Sequence, residues 1–213
     1  AFTYSGDDTG TYGAIAVDSA GAWTYTLSNS DADTTALDAG DSVTDTFTMT
    51  VSDGTASDTM DVVITVTGAD DDVTAGADQT GAVTEDATAT TATGTIAGSD
   101  ADDASSLAYT GDATGTYGAI AVVSGSGAWT YTLSNSDADT TALDAGDSVT
   151  DTFTMTVTDS ASGETDTMAV TITITGANDA PSAGSDGTGA VTEDASTSTA
   201  TGSISATDAD DAA

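Results

Sequence analysis

Residues 21–51 read GAWTYTLSNSDADTTALDAGDSVTDTFTMTV, and the same stretch recurs without a change at 127–157. Apolar side chains alternate with polar ones, mostly Thr, in two runs of this stretch, AWTYTL and SVTDTFTMTV. A period of two predicts β-strands that bury one face. The stretch therefore predicts that the chain carries two copies of one β-domain.

The spacing between the copies has the length of a whole domain. Tyr12 matches Tyr117 and Met60 matches Met168, so the spacing grows slightly along the copy. A spacing of this length is too long for a solenoid repeat. The predicted strands of one period are 81–85, 92–98, 107–110, 116–122, 128–133, 148–157 and 167–175. Seven short strands joined by Asp, Gly and Ser turns predict an all-β fold, tandem seven-stranded antiparallel β-sandwiches in a linear array.

The alignment of the two copies also predicts the domain bounds. Residues 71–179 form one complete sandwich, whereas residues 1–70 lack its first two strands and residues 180–213 supply only those two strands. Two strands alone are not stable. Either the chain is an excerpt of a longer array, or the following segment or subunit completes each open domain by strand donation. In both cases we expect the tail 180–213 to pack, head to tail, against a segment equivalent to 1–70.

Charge composition limits the partners of this chain. It has 36 acidic residues, nearly all Asp, and no Lys, Arg or His. Nucleic acid is excluded as a partner because phosphate binding needs basic side chains, and no apolar run is long enough to insert into a membrane. Without His or Cys, the usual zinc and copper sites are excluded as well. Hard oxygen ligands suit calcium, so we expect calcium ions as the cofactor and the counter-charge.

The sequence offers little to catalysis. It has no nucleophile–His pair and no Lys, and a carboxylate pair duplicated in tandem copies would be unusual for an enzyme. We therefore expect a structural role and no enzymatic activity. The alternative is a module that binds a glycan or a receptor. The loop 134–147 is identical in both copies, which favours a spacer over a ligand site.

The order of the motifs resembles a known family. GTYGAIAV, the duplicated stretch, VTITITGANDAP and VTEDA…TGTIAGSDADDA are similar to the VCBS repeats of giant bacterial surface adhesins. Those repeats belong to the broader cadherin-like, Ig-like superfamily. The resemblance implies a bacterial, secreted or cell-surface protein of the RTX type, a stalk or filament in which calcium rigidifies the domain junctions.

The resemblance also implies the calcium ligands. They lie in the linkers between copies, in the VTED motifs and in the DADD motifs. In Asp100 and Asp102 the alternating spacing sends both carboxylates to one side of an extended segment. The first linker departs from the GANDAP pattern, with Val73 where Pro181 stands in the second. The predicted ligands are Asp70, Asp71, Asp72, Glu85, Asp86, Asp100, Asp102, Asp103, Asn178, Asp179, Glu193, Asp194, Asp208, Asp210 and Asp211.

A second set of Asp residues lies in the loop between the two identical strands. Metal binding and a purely structural role both remain open for this set. Capping and Asx turns explain Asp in such a loop without a metal, so the set is left outside the predicted site. Its members are Asp31, Asp33, Asp38 and Asp41, with Asp137, Asp139, Asp144 and Asp147 in the second copy.

Overall fold

The computed structural model describes residues 1–6, 8–102, 106–194, 196 and 198–210. Among these residues the chain forms short β-strands and one short helix. The elements of the first copy are β1 (Thr3–Gly6), β2 (Gly13–Val17), β3 (Trp23–Leu27), α1 (Ala32–Thr35), β4 (Ser42–Ser52) and β5 (Ser57–Thr67). Those of the second copy are β6 (Thr74–Ala75), β7 (Gln79–Thr84), β8 (Thr91–Thr95), β9 (Gly98–Ser99), β10 (Leu107–Gly111), β11 (Gly118–Val122), β12 (Ala128–Leu133), β13 (Ser148–Asp159) and β14 (Thr165–Thr175). The tail contributes β15 (Ser182–Ala183) and β16 (Ala206–Thr207).

The second copy folds as two facing sheets. One has the strand order β10-β13-β14-β7 and the other the order β11-β12-β8. The all-β sandwich predicted from the alternation is confirmed, and the seven strands fall close to their predicted positions. One pair differs from an antiparallel sandwich, since β7 runs parallel to β14, with Ile174 opposite Val83. The alternation of side chains is the same in parallel and antiparallel strands, so it carries no information about direction.

The first copy has one strand fewer in each sheet. Its sheets have the orders β1-β4-β5 and β2-β3, and among the described residues nothing occupies the places of β7 and β8. The helix α1 is a single turn that the period of two did not predict. Asp31 caps it by accepting a hydrogen bond from the Asp33 backbone N–H, a role that polar residues commonly play at a helix start.

A buried carboxylate ties the two sheets together in both copies. Asp151 is only 4% exposed and accepts hydrogen bonds from the backbone N–H groups of Thr116 and Tyr117, at 2.8 and 3.1 Å. It also accepts one from the Tyr131 hydroxyl at 2.9 Å. Three donors satisfy a charge that has no basic partner in this chain. Asp45 makes the same three bonds in the first copy.

The chain divides into two compact units that do not follow the copies. One unit comprises Ala1–Ala75, Gly98–Ala108 and Val157–Asp166, and the other Gly76–Ala97, Tyr109–Thr156 and Thr167–Ala213. The domain bounds 1–70, 71–179 and 180–213 stay a prediction. In the second unit the tail forms the β15–β16 pair, and its described residues are almost all exposed. No helix among the described residues is long and apolar enough to cross a membrane.

Candidate calcium sites

The first unit brings three carboxylates to one point. Asp38, Asp70 and Asp102 each present an oxygen, and these oxygens lie within 4.8 Å of one another. Asp38 comes from the loop after α1, Asp70 from the linker after β5, and Asp102 from the DADD motif after β9. The Asp71 backbone N–H donates to Asp102 at 2.9 Å, which fixes the carboxylate beside the linker. We call Asp38, Asp70 and Asp102 the first acid cluster.

A further acidic pair lies in the same unit. Glu164, before β14, faces Asp72 in a shallow depression that Thr74 and Asp166 also line. Partial burial raises the pKa of Glu164, and the negative charges of Asp72 and Asp70 raise it further. Like charges held this close favour a shared proton or a cation between them.

The second unit contains a carboxylate that is almost fully buried. Glu85 follows β7 and is 2% exposed. Its Oε2 accepts a hydrogen bond from the Ala177 backbone N–H at 3.1 Å, while its Oε1 is buried and has no hydrogen-bond partner among the described residues. Burial raises the pKa of Glu85, and the charges of Asp179, Asp86 and Asp210 add to this. We call these four acidic residues the second acid cluster.

The neighbours of Glu85 are held by backbone and amide contacts. The Asp179 backbone N–H donates to Asp210 at 2.9 Å, the same contact that Asp71 makes with Asp102 in the other unit. Burial raises the pKa of Asp179, and the charges of Asp86 and Asp210 raise it further. Two junctions of the chain therefore use the same linker-to-DAD contact.

Asp86 takes an unusual backbone conformation beside Glu85. Its φ is +53°, in the left-handed region that Asp tolerates better than most residues. This conformation lets the Asp86 backbone N–H donate to the Asn135 side-chain oxygen at 2.9 Å, and the Asn135 amide donates back to the Asp86 carboxylate. The equivalent residue of the tail, Asp194, has nearly the same φ of +57°.

The structure gathers most of the predicted ligands into these two clusters or beside them. Asp100 accepts a hydrogen bond from the Asp102 backbone N–H at 3.3 Å. Asp208 is half-buried in the tail, whereas Glu193 and Asp194 are exposed. Asp103 and Asp211 lie outside the described residues. The assignment of the whole set as ligands stays a prediction.

Sequence reasoning kept metal binding open for Asp38 but left it outside the predicted site, and it missed Asn135 and Glu164. Asp38 and Asn135 lie in the equivalent loops of the two copies, where turns already explained the polar residues, and Glu164 lies in a hairpin that differs between the copies. The position of Asp38 just before β4 could have pointed to it, since β4 and β5 are paired over their whole length and end beside the linker. Nothing in the local sequence marks Asn135 or Glu164.

The residues present fit a calcium ion. Calcium takes oxygen ligands, and each cluster offers several carboxylates. A buried carboxylate without a donor on one oxygen is costly unless it takes up a proton or a cation compensates its charge. Glu85 meets that description in a chain that has no basic side chain.

The two facing sheets define an Ig-like β-sandwich, and a family comparison agrees with this class. Residues 70–176 match the model of the bacterial cadherin-like domain. The chain belongs to that family. No curated protein sequence matches it.

Solved structures give the same fold at low sequence identity. The human CDH23 EC21-23 fragment is similar with a TM-score of 0.54 and 16% identity, over 99% of this chain and 69% of that one. For mouse Cadherin-23 EC22-24 the TM-score is 0.52 and the identity 18%, over 99% of this chain and 66% of that one. For PcdhgB3 EC1-4 the TM-score is 0.53 and the identity 17%, over 99% of this chain and 50% of that one. The chain thus spans about half to two thirds of the length of these structures, and the likeness concerns the fold.

Proposed function

We propose that the chain is an extracellular repeat of a bacterial surface stalk or fibre, an adhesin extender that calcium ions rigidify. Membership of the bacterial cadherin-like family supports an adhesion-type repeat. The verbatim duplication of 21–51 at 127–157 suits a spacer, because a ligand-binding copy would differ from its neighbour. The absence of His, Cys, Lys and Arg supports a structural role without catalysis.

The buried Glu85 carboxylate is the observation that carries the proposal. It lies with Asp86, Asp179 and Asp210, so four negative charges gather where burial already disfavours one. A protein that left this arrangement uncompensated would lose folding free energy at neutral pH. A divalent cation supplies the missing charge and the missing ligand contact at once.

A bound calcium ion would stiffen the linker region, because its ligands come from separate segments of the chain. In the first acid cluster, Asp38 belongs to the loop after α1, Asp70 to the linker and Asp102 to the following DADD motif. The members of the second acid cluster come from equally separate segments. An ion bound to carboxylates of three segments limits the motion of each against the others. The bound ion also balances the charge of the carboxylates, so no Lys or Arg side chain is needed to do so.

Melting experiments on the full chain test the proposal. We expect calcium at roughly 0.1–1 mM, the range of extracellular modules, to raise the melting temperature above that in EDTA, and magnesium to raise it less. Sodium chloride at matched ionic strength is the control for screening, because the chain carries a formal charge of −36. An equal rise with sodium chloride alone would contradict specific sites.

A matched pair of variants locates the effect. Glu85→Gln keeps the acceptor for the Ala177 N–H and removes the charge, so we expect a smaller rise with calcium and no loss in EDTA. Glu193→Gln makes the same change at the equivalent, exposed position of the tail and should leave the calcium response of the second copy unchanged. A full calcium response in Glu85→Gln would overturn the role of the second acid cluster.

A further inference from the structure

The first copy exposes an apolar groove between its two sheets. The groove has a volume of about 230 Å³, and its lining includes Tyr4, Val17, Trp23, Met49 and Met60. Trp23 is 48% exposed and Met60 is 63% exposed. Side chains of this size rarely stand open to water together unless something covers them.

The second copy shows what covers the same residues. Trp129, the counterpart of Trp23, is 2% exposed, and Met168, the counterpart of Met60, is 4% exposed. The cover consists of β7, which pairs with β14, and β8, which pairs with β12. The Trp129 ring fills the space above Gly94, where a Cβ atom would come within 2.6 Å of the indole. Trp and Gly are therefore matched across the β12–β8 pair.

The tail carries the sequence of these two covering strands. At one constant offset along the chain, Gly189 matches Gly81, Val191 matches Val83, Gly202 matches Gly94 and Ile204 matches Ile96. Val83 and Ile96 are 5% and 1% exposed in the second copy, whereas Val191 and Ile204 are 60% and 98% exposed. The chain thus has an open groove in one place and the strands that fit such a groove in another.

We propose that the groove of the first copy binds residues 187–192 and 199–204 of a second copy of this chain. Residues 187–192 add to β5 as a parallel strand, as β7 adds to β14. Residues 199–204 add to β3 as an antiparallel strand, which places Gly202 opposite Trp23 and Ala200 opposite Tyr25, as Gly94 and Ala92 lie opposite Trp129 and Tyr131. The contact is heterologous, so repeated binding produces a head-to-tail fibre.

The occupant is identified by shape and sequence rather than by charge. Two copies of this chain repel each other, so binding requires enough salt to screen the charge. One contact of the covered state is missing, because Gly187 stands where Gln79 accepts a hydrogen bond from the Trp129 indole N–H at 2.9 Å. The inference goes beyond the proposed function and does not depend on calcium, since neither strand of the groove carries a residue of the acid clusters.

Engineered cysteines test the register directly, because the chain has no Cys of its own. Thr130 lies opposite Thr93 in the β12–β8 pair, which makes Thr24 and Thr201 the equivalent positions. We expect a Thr24→Cys chain mixed with a Thr201→Cys chain, in EDTA at about 0.15 M salt, to form a mixed disulfide dimer on mild oxidation. Thr24→Cys mixed with Thr199→Cys, which lies on the same face of the strand but out of register, is the control.

The double variant Thr24→Cys with Thr201→Cys distinguishes the sources of the strand. We expect a ladder of linked chains on a non-reducing gel. A linked monomer without a ladder would show that a chain covers its own groove and would overturn the proposal. Equal yields from the in-register and out-of-register mixtures would overturn it as well, because cysteines that meet by collision have no register.

A glycine substitution tests the fit without disturbing the free tail. A Cβ at Gly202 meets nothing within 4 Å in the tail, but opposite Trp23 it would meet the indole as at Gly94. We expect Gly202→Val to weaken self-association at least about 100-fold in sedimentation velocity. The added side chain would occupy the space that the Trp23 indole needs, and such buried aromatic residues carry most of the binding free energy. Ser203→Val, the adjacent residue whose counterpart Thr95 is exposed, should change it little. Self-association that survives Gly202→Val would overturn the proposed seat.

A gain of affinity provides the opposite test. Gly187→Gln restores the acceptor that Gln79 offers to the indole, and a Cβ atom at this position meets nothing within 4 Å in the free tail. We expect self-association to tighten about threefold to tenfold, the effect of one hydrogen bond. A monomer that shows no concentration dependence between micromolar and millimolar protein, in the unsubstituted chain and in Gly187→Gln, would overturn the inference irrespective of the calcium results.

Discussion

Two regions with the same duplicated sequence differ in how far they are buried. Phe47 and Phe153 are each 1% exposed, and Ile15 and Ile120 are almost as deeply buried. The difference is largest in β3 and β5, where Trp23 is 48% exposed against 2% for Trp129 and Met60 is 63% exposed against 4% for Met168. Since the sequences of β3 and β12 are identical over their shared residues, exposure here is set by the presence of β7 and β8 and not by the strand itself.

The comparison also separates local from long-range interactions. The hydrogen bonds around Asp45 and Asp151 are the same in both copies, and the tyrosine–phenylalanine ring pairs have centroid distances of 5.9 and 5.8 Å. These contacts join strands that both copies possess. The first copy therefore keeps the part of the core around Phe47 and Asp45, and it lacks the part that β7 and β8 complete in the second copy.

The largest difference between the copies should appear in the two tryptophans. We expect Trp129→Ala to lower the free energy of unfolding by about 3–5 kcal/mol, because it leaves a cavity in a closed core. Trp23→Ala removes a half-exposed ring and should cost less than about half as much in dilute protein. Urea unfolding followed by circular dichroism measures both. Equal costs at low concentration would mean that the Trp23 groove is already covered in the dissolved chain.

The sequence predicted the sandwich because its decisive signal is local. Alternation places Phe153, Met155 and Val157 on one face, and all three are fully buried. It could not predict that β7 runs parallel to β14, since direction depends on how the chain returns to the sheet edge. The single turn α1 escaped for a related reason, as one turn is too short to show a helical period.

The candidate sites were predictable in part. Motif positions indicated Asp70, Asp102 and Glu85, which the structure places in the two clusters. Asp38 stayed an open candidate and Asn135 was no candidate, because the pairing of distant strands brings their two loops to the clusters. The burial of Glu85 also depends on this tertiary arrangement, and no spacing of residues encodes it.

The linkers offer a second way to compare the two regions. Asp70 in the first linker is replaced by Asn178 in the second, which keeps a side-chain oxygen and removes a charge. Calcium affinity depends on the number of charged ligands. We expect Asp70→Asn to weaken calcium binding at the first acid cluster about tenfold and Asn178→Asp to strengthen it at the second by a similar factor. Calorimetric titration measures both. Changes of the same sign would show that the linker residue acts through something other than ligand charge.

The smallest expected effect concerns the tyrosines, the only side chains of this Lys- and Cys-free chain that titrate in alkali. Burial, with the Asp45 carboxylate beside it, raises the pKa of Tyr25 to about 12. Burial raises the pKa of Tyr131 as well, and that ring is the more deeply buried of the two. The folded chain favours the neutral phenol, so the stability that this provides is complete below pH 10 and is lost as the pH rises towards 12.

We expect the ultraviolet absorbance of the phenolate to show Tyr25 ionising before Tyr131, with Tyr25→Phe removing the earlier of these two late steps and Tyr131→Phe the later. If a second copy covers the groove, Tyr25 loses solvent as Tyr131 has done, and its ionisation should move to higher pH with rising protein concentration. Gly202→Val should abolish that movement while leaving the titration of dilute protein unchanged. If the ionisation of Tyr25 in the unsubstituted chain does not depend on protein concentration, no second copy covers the groove, and this result would contradict the proposed binding.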